Sequence, residues 1–234
     1  MTTLDAARAS GRRLTTLLGL AAPPVAVAFP DAPPAGIPRA AAAPAGCGYW
    51  PKAAESGAFY TEAADHMSCP IGAHTHAVEL PPATAKELEG LIGTMVDLQY
   101  IRLEEVAQIP RRRTPLKVAV YAPLEATPVE PAVVMVRGTA RQIMLLTEAA
   151  TLAGVGPDGT VMGRPTCAAI PASEASGRAA VSLGCIGNRV YTRLADGELY
   201  ASLPGASLGA VVDRLETIVK ANDELERFHR GRLS

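Results

Sequence analysis

The sequence predicts an α/β or α+β protein made of two degenerate pseudo-repeats, each strand–Cys–Cys–helix, packed as one compact unit. Two observations carry this expectation. Short Val- and Ala-rich runs bounded by Pro or Gly alternate with longer stretches whose apolar residues recur at helical spacing. The four cysteines also fall into two pairs with the same landmarks in the same order. The first copy reads Cys47-Gly-Tyr-Trp-Pro51, Ser56-Gly57, Cys69-Pro-Ile-Gly72 and Leu80-Pro-Pro-Ala-Thr84. The second reads Cys167-Ala-Ala-Ile-Pro171, Ser176-Gly177, Cys185-Ile-Gly187 and Leu203-Pro-Gly-Ala-Ser207. An internal duplication explains both orders at once, and duplicated halves that face each other bring equivalent positions together. The expected division is 1–110, with an N-terminal helix, and 111–234, joined around Pro110 to Pro115.

In chain order, residues 4–19 read as a helix with Leu4, Ala7, Leu14, Leu17 and Leu18 on one side. Pro23-Pro24 stops it, and Val25 to Phe29 is a buried strand. Residues 30–46, rich in Pro and Ala, form a loop or covering arm. A short helix over 48–56 tolerates Pro51 in its first turn, and Phe59 to Thr61 is a short strand. Cys69-Pro70 opens a helix through Ala77. A capping box, Thr84-x-x-Glu87, opens the next, with Leu88, Leu91, Ile92, Met95 and Leu98 continuing it. Lys117 to Tyr121 and Pro131 to Val136 are strands, the second echoing the run from Pro24. Thr139 caps a helix reaching Ala153 and ended by Gly154. Gly156, Gly159 and Gly163 mark turns leading to Cys167. Ala179 to Ser182 is a strand that delivers Cys185, and Leu199 to Ser202 is another. The last helix starts at Ser207, with Leu208, Val211, Val212, Leu215, Ile218, Val219 and Leu225 on one face.

The composition narrows the function. The chain is 48% hydrophobic and 19% charged over 234 residues, enough to bury a core without a metal or disulfide to hold it. A net charge of −1 gives no electrostatic footprint for nucleic acid. The basic run Arg111-Arg112-Arg113 between two prolines reads as a solvated linker. No signal peptide or membrane-length run is present, so the expected location is cytoplasmic. Thiols there stay reduced, which favours metal binding or redox chemistry over static disulfides.

No two cysteines form the close knuckle of a structural zinc site, and no ferredoxin-like ladder is present. Singly scattered thiolates fit a cluster held between repeats. Thiolate ligands select iron–sulfur, zinc or copper(I). The favoured expectation is a [4Fe–4S] cluster on Cys47, Cys69, Cys167 and Cys185, with zinc or no metal as alternatives. Two other readings stay open. The thiols fit a metal-free thiol/disulfide enzyme or sensor, and they fit a core of small hydrophobes in a binding module.

Around the thiols, His66 is a candidate ligand or proton donor three residues before Cys69. Arg164 and Arg189 flank the second pair and could clamp an anion or offset cluster charge. The catalytic candidates are therefore His66, Arg164 and Arg189. Trp50, Gly72 and Gly187, each beside a cysteine, are candidate cofactor contacts. His74 and His76 stand two apart on the expected helix, so they share no face. No dinucleotide fingerprint, P-loop, nucleophile elbow or metalloprotease helix appears.

Gly46-Cys-Gly-Tyr-Trp50, Asp65-His-Met-Ser-Cys-Pro-Ile-Gly-Ala73, Gly163-Arg-Pro-Thr-Cys167 and Ser182-Leu-Gly-Cys-Ile-Gly-Asn-Arg189 resemble the ArCR-type proteins of bacteria and archaea. That family is a domain of unknown function. The resemblance runs from Pro24 to the last helix, and it implies one homologous unit in a prokaryotic cytosol and no settled activity. The expected partners are a small-molecule substrate or an electron-transfer partner, with no nucleic acid and no membrane. A homo-oligomer is compatible with the sequence, and an oxidoreductase or cluster-dependent enzyme is the expected class if the protein is catalytic.

Overall fold

The computed structural model describes residues 2–158 and 165–233. Its centre is a six-stranded antiparallel sheet. The strands are β1 (Val25–Ala28), β2 (Phe59–Glu62), β3 (Val118–Pro123), β4 (Val133–Thr139), β5 (Ala180–Ser182) and β6 (Glu198–Pro204). They lie side by side in the order β2-β3-β1-β4-β6-β5. At the centre, Val25 pairs with Met135 and Val27 with Val133.

Side chains alternate across a strand, so each strand feeds two cores. Ala26, Val134, Val136, Ala201 and Leu203 face one side. There they meet three helices, α1 (Thr3–Leu18), α6 (Ala140–Leu152) and α9 (Leu208–Arg230). Leu14, Leu146, Leu208, Val211, Val212 and Leu215 fill that layer. A buried Leu contributes roughly 1.5–3 kcal/mol, so this layer anchors the fold. The expected caps are partly realised. Thr139 caps α6 in a reciprocal box with Gln142, while Ser207 makes no side-chain cap and a short 3-10 turn leads into α9 instead. Leu225, on the same expected face of α9, is 55% exposed, since the buried residues of that helix end at Leu215.

Val25, Val27, Ala119, Tyr121, Val133, Met135 and Tyr200 point to the other side. The covering pieces there are short: α2 (Tyr49–Ser56), α3 (Pro70–Thr75), α7 (Ala169–Ser176) and α8 (Ile186–Thr192). This layer carries all four cysteines. The arm before Cys47 also has a structural task. Ala40 N–H donates to the Tyr60 carbonyl at 2.8 Å and Tyr60 N–H to that of Pro38 at 3.0 Å, which covers the free edge of β2. Arg39 then grips Asp65 with two hydrogen bonds of 3.1 Å.

Several local expectations need correction. Helix α4 (Pro82–Asp97) starts two residues before Thr84, with Pro81 as its N-cap and no side-chain cap bond. Pro82, with φ already set for the first turn, starts the helix instead. Only Leu88 of its apolar row is buried, and Leu91 and Leu98 lie exposed. Helices α7 and α8, like α5 (Leu103–Val106), were not anticipated, being too short to show a helical period.

Arg112 is the largest correction. It is buried rather than solvated. Its guanidinium bonds Glu174 at 2.8 and 2.9 Å and lies over the Phe29 ring at 3.7 Å. Its backbone N–H donates to the Thr75 carbonyl at 2.9 Å. The linker is therefore tied down between α3 and α7.

Among the described residues, no helix is long and apolar enough to cross a membrane.

Candidate functional site

Each cysteine sits at the lip of a short helix. Cys47 lies in the 3-10 turn Gly46–Gly48, which runs straight into α2. Cys167 lies in the 3-10 turn Thr166–Ala168, which runs straight into α7. Cys69 is the N-cap of α3, with Pro70 next, and Cys185 is the N-cap of α8. Helices α2 and α7 each end at a glycine with positive φ, Gly57 at 91° and Gly177 at 66°. A β-carbon would be strained there, and each glycine turns the chain into the strand that leads to the next cysteine.

These four lips pack together. The Cys47 turn touches α8, α3 and the Cys167 turn, and α3 touches the Cys167 turn as well. The thiols therefore act on one another. Cys185 and Cys69 both raise the pKa of Cys47, Cys185 raises that of Cys69, and all three other cysteines raise that of Cys167. Every pairing of the four appears in that set. All four are free thiols. Cys47 and Cys167 are buried, while Cys69 and Cys185 are half-open.

Hydrogen bonds hold the sulfurs in place. The backbone N–H groups of Gly72 and Ile71 act to lower the pKa of the Cys69 thiol against its burial. A β-carbon on Gly72 would stand 3.3 Å from that sulfur, so glycine lets the first turn of α3 close over it. Cys185 accepts the Asn188 N–H at 3.4 Å, and its own N–H donates to the Thr166 hydroxyl at 2.6 Å. The Asn188 side chain lies by Cys47 and the Thr75 hydroxyl by Cys167, and each acts to lower the pKa of its thiol. Thr75 and Asn188 thus act on thiols of the opposite pair, while Thr166 ties Cys185 to the turn of its own partner Cys167. Nothing in their sequence neighbourhoods announces this, since the contacts are made across the site.

Burial dominates the electrostatics. It pushes the Cys47 thiol up to about 12, with the neighbouring thiols adding to it and Asn188 opposing it. Burial likewise raises Cys69 and Cys167. Without a cation these sulfurs hold their protons. A coordinated metal deprotonates a thiol outright. Among the described residues, no three His, Cys, Asp or Glu side chains gather closely enough to hold a single metal ion.

The remaining candidates fall as follows. His66 is buried at 1% exposure, with Nε2 2.9 Å from the Thr61 hydroxyl. Burial is the main cause that lowers its pKa to about 3. His76, set aside in the sequence with His74, stacks on it at 5.5 Å between ring centroids. Arg189 donates to the carbonyls of Ala195 at 3.1 Å and Leu183 at 2.6 Å, bracing the loop around α8. Arg164 lies outside the described residues, as do Gly159 and Gly163. Trp50 is buried and edge-on to Tyr200 at 5.0 Å. Gly187 sits in the first turn of α8, below Tyr191.

Two clefts flank α2. One of about 260 Å³ is lined by Trp50, Met135, Arg137 and Tyr200. The other, about 290 Å³, lies between α2 and α8 against Gly48, Lys52, Tyr191 and Arg193. It adjoins the elements that carry Cys47 and Cys185.

A family model described as uncharacterised ArCR matches residues 13–214. No curated protein and no solved structure matches the chain.

Proposed function

We infer that the chain, which belongs to the uncharacterised ArCR family, binds an iron–sulfur cluster through Cys47, Cys69, Cys167 and Cys185 and does redox or cluster-assisted work on a small molecule. The observation that carries this reading is that the four helix lips bearing the cysteines pack against one another, close enough for the thiols to shift one another's pKa upward. Thiols buried merely as small hydrophobes have no reason to converge. A single ion is less favoured than a cluster. Four thiolates on one zinc must lie within about 2.3 Å of it, and no such close group is found among the described residues. A [4Fe–4S] cluster places each cysteine on a different iron, so its ligands stand further apart.

Backbone N–H groups on Cys69 and Cys185 support the same reading, because donors to sulfur tune a cluster's potential. When bound, such a cluster supplies one-electron chemistry. Leu183, Ile186, Val190 and Tyr191 are exposed around Cys185. That edge is where we place the approach of an electron-transfer partner or substrate.

The sheet order supports an internal duplication. Reading outward from the centre, β1, β3 and β2 mirror β4, β6 and β5. The cysteine-bearing segments match as well: 3-10 turn, eight-residue helix, glycine, strand, N-cap cysteine, helix. We place the boundary between copies after β3 rather than at residue 110, because β3 pairs with β1 and β2.

The test is anaerobic reconstitution followed by iron and acid-labile sulfide assays. About four of each per chain is the expected result, with colour lost in each Cys→Ser variant. A colourless, metal-free protein, or one zinc per chain with no sulfide, overturns the cluster.

A further inference from the structure

Among the described residues, a few buried side-chain polar atoms lack an ordinary hydrogen-bond partner: His66 Nδ1, His76 Nε2, the Tyr121 hydroxyl and the Asn188 amide. The Asn188 amide stands apart from the rest, on α8 beside the Cys47 thiol. The other three belong to one stack of rings. His66 lies 5.5 Å from His76 and 6.4 Å from Tyr121, with interplanar angles of 30° and 28°. Each is at most 2% exposed. Burying one polar group without a partner is costly and uncommon. Three in a single stack point to a ligand.

The hydrogen-bonding character of the stack can be read from its neighbours. His76 Nδ1 lies 2.9 Å from the Gly72 carbonyl, which can only accept, so Nδ1 carries the proton. Its Nε2 is therefore a bare acceptor. Burial raises the Tyr121 phenol, so it stays protonated and serves as a donor. His66 Nδ1 faces the Gly46 backbone, where a β-carbon would stand only 3.2 Å away. The matched positions before the second pair of cysteines carry partnered groups instead. Thr166 replaces Gly46 in front of its cysteine, and Ser182 replaces His66 three residues before the next. Their hydroxyls bond each other at 3.2 Å. The open polar stack belongs to one half alone. The nearby charges are each bonded to an opposite one, Arg112 to Glu174 beside His76 and Asp65 to Arg39 beside His66, so neither ring faces an unpaired charge that would hold an ion.

We propose that His66, His76 and Tyr121 form a buried binding site for a small uncharged molecule that both donates and accepts hydrogen bonds, such as a carboxamide. The site lies beside two of the four thiols, since Cys47 and Cys167 both influence Tyr121. It stands independently of the cluster.

The test is NMR of the full chain labelled with ¹⁵N-histidine, titrated with formamide and, separately, with formate. Formamide is expected to move the His66 and His76 ring-nitrogen resonances saturably, and formate to leave them in place. Tyr121→Phe keeps the ring but removes the donor, and is expected to weaken formamide binding about tenfold, the worth of roughly one hydrogen bond. His66→Gln, checked by circular dichroism, serves if Tyr121→Phe does not fold, with the same loss expected. Resonances that ignore formamide, a formate response equal to it, or unchanged affinity in the folded variant each overturn the site. Formamide binding by a protein that takes up no iron upholds this site and overturns the cluster.

Discussion

Asn188 donates its backbone N–H to the Cys185 sulfur at 3.4 Å while its side-chain amide reaches Cys47. One residue of α8 therefore serves a thiol from each pair. The amide is buried with no hydrogen-bond partner among the described residues, and it acts to lower the pKa of the Cys47 thiol beside it.

Asn188→Leu separates the two roles. It removes a poorly satisfied buried amide, so the metal-free protein is expected to keep or slightly raise its melting temperature. Retention of metal is expected to fall roughly 10–100-fold, as is usual for groups that orient ligands. Thermal melts and competition with a chelator measure the two effects. Equal loss of both would mean that Asn188 is only structural.

Loading of the proposed cluster is expected to depend on pH. Cys47 is raised to about 12, and Cys69 and Cys167 are raised as well, so binding must release protons. Apparent affinity is expected to climb roughly tenfold per pH unit for each proton released, through the neutral range. The same shift affects the metal-free fold in the opposite sense. Its folded thiols keep protons that the unfolded chain loses near 9, so this stability is complete below about pH 9. It is lost as pH rises toward 12. Denaturation curves at pH 8 and pH 10.5 compare the two regimes.

Acid acts through the stacked histidines. His66 is lowered to about 3 and His76 to about 4 from 6.5, burial being the first cause in each. The unfolded chain therefore takes up protons first. Their contribution is present above pH 6.5 and drains away as pH falls through 4 and then 3. His66→Gln is expected to flatten the stability–pH slope between 6.5 and 3. An unchanged slope would place the acid sensitivity elsewhere.

Arg112→Met is expected to cost about 3 kcal/mol in urea denaturation. That is the low end for breaking a buried ion pair, because the Glu174 side chain is 30% exposed. Adding Glu174→Leu should recover most of the loss, since no uncompensated charge then stays buried.

Thr139→Ala removes a reciprocal cap on α6 and is expected to cost about 1 kcal/mol. It lies on the opposite sheet face from the cysteines, so metal loading of the folded protein should not change. A shift in loading would show that the two faces are coupled.

Much of the local structure was legible. Val25 to Ala28 and Phe59 to Glu62 announce themselves by composition, and Pro70 and Thr139 mark helix starts that the structure keeps. The failures share a cause. Thr84 looked like a cap because the Glu three residues on matched a motif, but Pro82 starts the helix sooner. Arg112 looked solvated because it stands among arginines and prolines, yet its partners Phe29 and Glu174 are remote in sequence. His76 shares no helix face with its neighbour His74, and the ring it meets is the more distant His66.

By itself, the sequence determined which four sulfurs are available, their two matched settings and the alternation that sends each strand residue to one face or the other. Only the tertiary structure decided that the four helix lips meet, because strand order is set by pairings between distant segments that local spacing does not encode. It also decided that Asn188, Thr75 and Thr166 support the thiols and that three polar rings lie buried together. Those contacts depend on which remote side chains fill the same space, a property of packing rather than of any one segment.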